Sequence, residues 1–163
     1  MDLNLDIGSG SLTNPHKSEH VFLNNENLIH IDIDKKSYHI EAKATVYYLP
    51  FKDQAFNIVY IRHVLEHLEE PFRALLELKR VSTNKVIVQV PNASYYKFKS
   101  SSEEHLFSWN SFTLTNLLNR VFKDVSVYTT KRYNKKRNYI KKVVFAIACL
   151  FFGDNEITAI ANR

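Results

Sequence analysis

The stretch His63-x-x-Glu66-His67 sets two imidazoles and a carboxylate at i, i+3 and i+4, a spacing that would place them on one helical face. An imidazole titrates near pH ~6.5 and can take a proton from a substrate close to neutrality. His63 is therefore the first candidate base and His67 the second, while Glu66 reads as a capping or loop-fixing residue. A purely structural reading, in which both histidines orient their loop, stands beside this one. The spacing is also the H-x-x-E-H of one zinc-peptidase group. Such a peptidase needs the motif inside a helix, a further protein ligand and room for water, whereas here it follows directly on an apolar strand. The peptidase reading is set aside and no residue is assigned to a metal. Upstream, Gly8-Ser9-Gly10 closes one alternating apolar segment and Asp32 lies at the end of another. A glycine turn after a first strand lets a ligand approach the backbone, and an acid ending a second strand can accept hydrogen bonds from ribose hydroxyls. Two glycines alone are more often just a turn.

The elements that must hold these residues alternate. Residues 3–7 and 28–34 alternate apolar and polar side chains as strands do, and 42–46 reads as a short third strand. Between the first two, Asn14-Pro15 and Asn24-Asn25 argue for a loop with at most one helical turn. Residues 55–61 form the next strand, and Pro71 opens a helix to residue 81 whose apolar face is read as Phe72, Leu75, Leu76 and Leu78. The nearly continuous apolar run over 85–90 suits a strand buried on both faces. A mobile loop over 93–108, a helix over 111–122, a strand over 124–130, a helix over 139–152 and a strand over 156–161 complete the chain. This order predicts a largely parallel sheet covered by helices on both faces. His105 and Trp109 fall in the loop expected to cover an acceptor, where a packed Trp109 is the more ordinary outcome.

A chain of 163 residues fits one domain, 1–163, and its 45% hydrophobic and 24% charged residues are those of a globular protein. The single cysteine, Cys149, fits a reducing compartment, and the first residues lack the pattern of a signal peptide; a cytoplasmic location is expected. Seven basic residues between Lys131 and Lys142 account for the net charge of +5, so basicity is local and does not describe a whole nucleic-acid-binding face.

Leu5-Asp6-Ile7-Gly8-Ser9-Gly10 resembles the first motif of class I S-adenosylmethionine-dependent methyltransferases. His30-Ile31-Asp32-Ile33 resembles the acidic end of that family's second strand, and 48–57 (Tyr48 to Asn57) the LPF-D-x-x-F-D stretch of its methyltransferase-11-like branch. His63-Val64-Leu65-Glu66-His67-Leu68-Glu69-Glu70-Pro71 is similar to the HVLEHL-x-x-P segment after the fourth strand, and Val90-Pro91-Asn92, Glu104-His105-Leu106, Phe112-Thr113 and Leu117-Leu118 continue the likeness. The resemblance implies a Rossmann-like α/β fold with a mostly parallel seven-stranded sheet, helices on both faces, an antiparallel last strand and a reduced N-terminal part. It implies S-adenosyl-L-methionine as cofactor, with Asp6, Gly8 and Gly10 at its methionine part, Asp32 on the ribose, Ile33 on the adenine, Thr45 and Val46 beside the adenine edge, Arg62 and His63 facing the sulfonium, and Ile7, Ser9 and Leu49 as further cofactor-binding residues. Leu12, Thr45 and Asn57 depart from the family pattern, at a third glycine, at an acid near the adenine amine and at an aspartate of the fourth strand.

The expected function is methyl transfer to an oxygen or nitrogen of a small-molecule, glycan or lipid-linked acceptor. The alternative is a catalytically degenerate cofactor-binding module that serves a partner protein, supported by the same three departures. A dehydrogenase is a weaker third reading. The basic run followed by ten uncharged residues, 143–152, gives 131–152 as a candidate for peripheral membrane contact, too short to span at ~20 residues per crossing. A helix buried against the sheet is the preferred reading of that segment, and nucleic acid is a weaker partner than either. With the usual N-terminal closing helices absent, the acceptor pocket is expected to be open or completed by a partner or a second copy of the chain.

Overall fold

The computed structural model describes residues 3–8, 27–33, 40–94, 105–130 and 156–163. They form one seven-stranded sheet in the order β3-β2-β1-β4-β5-β7-β6. The strands are β1 (Asn4–Ile7), β2 (Leu28–Asp32), β3 (Ala42–Lys43), β4 (Phe56–Arg62), β5 (Ser82–Pro91), β6 (Asp124–Thr130) and β7 (Glu156–Asn162). The first five pair in parallel, and β7 runs antiparallel between β5 and β6. The mostly parallel sheet is the one that the order of elements predicts, and the antiparallel last strand is the one that the family resemblance implies.

The central strands carry the core. Every residue of β1 is buried, and Val86, Val88 and Val90 of β5 pack with Leu5, Ile31, Val59 and Ile61. Helix α1 (Pro71–Val81) links β4 to β5. Pro71 sits where its missing N–H has no intrahelical partner to lose, and Lys79 and Arg80 oppose the negative end of the helix dipole. Pro71, Ala74, Leu75, Leu78 and Val81 are its buried residues, an i, i+3, i+4, i+7 series. Phe72 and Leu76, placed on the apolar face by the sequence reading, lie instead on the exposed side. The periodicity of 71–81 admits two neighbouring stripes, and the one containing Ala74 and Val81 reaches the sheet.

Helix α2 (Ser111–Leu118) starts on a reciprocal cap, with the Asn110 side chain accepting from the Thr113 N–H and the Thr113 hydroxyl oxygen accepting from the Asn110 N–H. It ends at Leu118, four residues short of the prediction, and tight turns then bury Val121 and Phe122. β5 begins three residues earlier than expected because it follows α1 without a loop, β3 keeps only two residues, and β2 ends at Asp32. The loop expected over 11–27 and the helix expected over 139–152 lie largely or wholly outside the described residues, as do Ser9, Gly10 and Leu12.

Candidate active site

The strand order reverses beside β1: β2 and β3 lie on one flank and β4 on the other. Open α/β sheets bind ligands at such a switch point, outside the carboxyl ends of the strands. Gly8 leaves β1 there with φ +74°, a left-handed conformation that favours glycine. A Cβ on Gly8 would stand 2.2 Å from Val64 Cγ2 and 3.6 Å from the Arg62 carbonyl oxygen. The turn is thus drawn tight against the end of β4, and its N–H is tied to the Ile31 carbonyl of β2 at 3.0 Å.

Around this turn the structure distributes the sequence-predicted residues unevenly. Asp32 ends β2, and Ile33 beside it is 67% exposed, a large apolar side chain left uncovered where a flat base would need one. Ile7, Val46 and Leu49 are core residues. Thr45 closes a small turn with Tyr48, and the Leu49 N–H donates to Glu77 Oε1 at 2.8 Å. Asp6 is buried, and its Oδ2 lies 3.0 Å from His30 Nδ1 on β2. That hydrogen bond is the main reason the His30 pKa is raised above 6.5; burial opposes it, and the charges of Asp6 and Glu41 add to it.

The second half of the corner is built at the end of β4. His63 takes a left-handed φ of 50°, its N–H still bonded to the Gln89 carbonyl, and a single 3-10 turn (Leu65–His67) follows. The three residues of the H-x-x-E-H spacing therefore do not ride on one α-helix. They meet all the same: His63 Nδ1 is 3.4 Å from Glu66 Oε1, and His67 Nε2 is 4.0 Å from it. On its other side His63 Nε2 reaches Glu156 Oε1 of β7 at 3.2 Å, and Gln89 Nε2 donates to Glu156 Oε2 at 2.7 Å. Both carboxylates are buried. Burial pulls the His63 pKa down, but the contacts with Glu156 and Glu66 and their two charges outweigh it, and the pKa is raised above 6.5. A ring with a carboxylate at each nitrogen favours the doubly protonated imidazolium.

Neither Glu156 nor Gln89 is conspicuous in the sequence. Glu156 lies 93 residues from His63, and only the wedging of β7 beside β5 joins them. An acid opening an otherwise apolar strand is the faint signal that could have marked it. Trp109 is buried, stacked on Phe107 at 5.4 Å, and His105 lies edge to face on His67 at 4.8 Å. The 105–109 segment is thus brought onto this corner.

A chain with this fold and corner is of the class I methyltransferase kind, and comparison with known proteins agrees. The model of the methyltransferase domain family matches residues 5–90, just over half of the chain, including Gly8, Asp32, His63, Glu66 and His67. The chain belongs to that family, whose cofactor is S-adenosylmethionine. The Gly8 turn that a Cβ would fill, the acid ending β2 and the uncovered Ile33 fit that cofactor. An uncharacterised methyltransferase of Schizosaccharomyces pombe is 39% identical over 66 residues, which are 40% of this chain and 23% of that protein, so the chain spans about a quarter of that relative's length. A SAM-dependent methyltransferase structure from Archaeoglobus fulgidus superposes with a TM-score of 0.67 at 20% identity, covering 99% of this chain and 86% of that one. One from Thermotoga maritima gives 0.68 at 15% identity, with 100% and 83% covered. A Haloferax volcanii methyltransferase in complex with the Trm112 methyltransferase activator gives 0.72 at 11% identity, with 99% and 81% covered.

Proposed function

We propose that this chain transfers the methyl group of S-adenosylmethionine to an oxygen or nitrogen of a small-molecule, glycan or lipid-linked acceptor. The observation that carries the reading is the Gly8 turn, closed against the end of β4 at the switch point. When bound, the cofactor supplies a sulfonium whose methyl carbon is open to in-line attack. The protein's part is to bind and orient. Asp32 would accept from the ribose hydroxyls, Ile33 would cover the adenine, and the Gly8 turn would lie along the methionine part. Positioning of the two reactants supplies much of the acceleration in such a displacement.

The acceptor's proton is assigned to His67 ahead of His63, the reverse of the order expected from the sequence. His63 is held between Glu66 and Glu156 and works better as a fixed positive charge, whereas His67 stands at the exposed edge of the cluster. Cytoplasmic location belongs to the same proposal, while the segment 131–152 lies outside the described residues, among which no helix is long and apolar enough to cross a membrane. Action only as a binding module beside a partner is favoured by none of the described contacts.

Calorimetric titration with S-adenosylmethionine, S-adenosylhomocysteine and NAD tests the reading. Saturable binding of the first two and not of NAD is expected, and Asp32→Ala should weaken it by about 1.5–3 kcal/mol, roughly 10- to 150-fold. A folded chain that binds none of them overturns it.

A further inference from the structure

We propose that Glu66, His67 and His105 form a binding site for a divalent first-row transition ion, of the class of Mn2+, Co2+ or Zn2+. One ligand atom from each residue lies within 4.8 Å of the other two. Donors each about 2.1 Å from one tetrahedral ion stand about 3.4 Å apart, so closure asks the ligand atoms to approach one another by up to about 1.4 Å, which rotation about the side-chain bonds supplies. Glu66 Oε1 and His67 Nε2, at 4.0 Å, are within about 0.6 Å of that separation.

The backbone sets this meeting in advance. The Glu66 carbonyl accepts the N–H groups of Leu106 at 2.9 Å and Phe107 at 3.1 Å, which fastens the 105–109 segment to the 3-10 turn and brings His105 beside His67. Glu66 itself supplies an independent sign of a missing cation. Its side chain is 2% exposed, and neither carboxylate oxygen accepts a hydrogen bond of ordinary geometry among the described residues. A buried carboxylate left so is costly. His63 Nδ1 at 3.4 Å faces one oxygen only, and the other nitrogen of that ring is turned to Glu156.

Two imidazoles and one carboxylate select a borderline transition ion over Mg2+ or Ca2+, which prefer oxygen donors. The set runs from buried Glu66 to exposed His67, so the ion has a path from solvent. It is also not the His63/His67 pair that an H-x-x-E-H peptidase would use. Three protein ligands leave coordination positions open, and an oxygen or nitrogen of the acceptor takes one; with the ion bound, His67 is a ligand and no longer the base, and the ion itself lowers the pKa of the acceptor group it holds. That role alone rests on the proposed methyl transfer; ion binding does not.

The test uses the full chain freed of metal by a chelator, titrated with Co2+ by visible absorption and with Mn2+ by calorimetry, with Mg2+ for comparison. One saturable Co2+ site is expected, with Mg2+ binding at least 10-fold weaker. His67→Asn and His105→Asn should each weaken Co2+ at least 10-fold, with melting temperature and S-adenosylmethionine affinity kept as checks on folding. Absence of Co2+ binding by the folded chain, or equal binding by the His67→Asn/His105→Asn double variant, overturns the site and leaves the two rings as simple packing partners. Because S-adenosylmethionine is titrated into the same samples, loss of the metal site and loss of the methyltransferase reading register separately.

Discussion

Around Arg80, two carboxylates and two carbonyls meet a cation whose five N–H donors all find acceptors: Glu77 twice, Asp53, and the Leu49 and Phe51 carbonyls. Around His63, two carboxylates also meet one imidazole ring, yet among the described residues Glu66 there accepts no ordinary hydrogen bond. The first cluster is saturated, and its work is to fasten the turn after β3 onto α1. The second is buried and under-bonded, a state that proteins keep where a ligand or proton completes the set. Similar composition thus serves stability in one place and chemistry in the other.

The site side breaks most sharply at Gly8. Gly8→Ala forces a Cβ into Val64 at a left-handed φ, and a loss of about 2–5 kcal/mol in urea unfolding is expected together with loss of S-adenosylmethionine binding. Adding Val64→Ala should return part of both, and no return would place the fault in the backbone conformation alone. On the fastening side, Arg80→Ala leaves Glu77 without its cation and should cost about 2–3 kcal/mol by the same measurement. Glu66→Gln is expected to shift stability by no more than about 1 kcal/mol in either direction, because it removes a buried charge that was poorly satisfied. If Glu66→Gln proved as damaging as Arg80→Ala, the contrast between the two clusters would collapse.

The smallest effects are in pH. The hydrogen bond from Arg80, with the Leu49 N–H and the Arg80 charge, holds Glu77 below its ordinary 4.5 against the effects of burial and Asp53. Its contribution is complete above pH 4.5 and is lost as pH falls through the lowered value. His30, raised above 6.5 by Asp6, behaves oppositely: its contribution is complete below 6.5 and is lost as pH rises through the raised value. Urea midpoints measured across pH should show each slope, about 1 kcal/mol or less in total, with Arg80→Ala removing the acid slope and His30→Gln the other.

Much of this was legible in the sequence, for a physical reason. The alternation of β1 and β2 and the nearly continuous apolar run of β5 are written in short windows, and Gly8 follows β1 where that alternation stops. Local signals of that kind do not depend on what packs where. Choices decided by tertiary contact were less visible: which stripe of α1 faces the sheet, the 3-10 turn in place of a helical face after His63, and the arrival of Glu156. The first turns on Ala74 and Val81, which are too small or too ordinary to outvote Phe72 and Leu76 in a periodicity. The last depends on a strand pairing that no short window contains.

That pairing has a consequence for how the protein comes into being. β7 enters the sheet between two strands already separated from it in sequence, closing the β5–β6 gap and delivering Glu156 to His63 in one step. Contacts between distant segments are slow to form, since the loop between them must be closed before any pairing repays it. During synthesis the cofactor corner of β1, β2 and β4 can therefore assemble while the ionisable cluster is still incomplete, so a nascent chain acquires its place for a ligand before it acquires the charges to act on one.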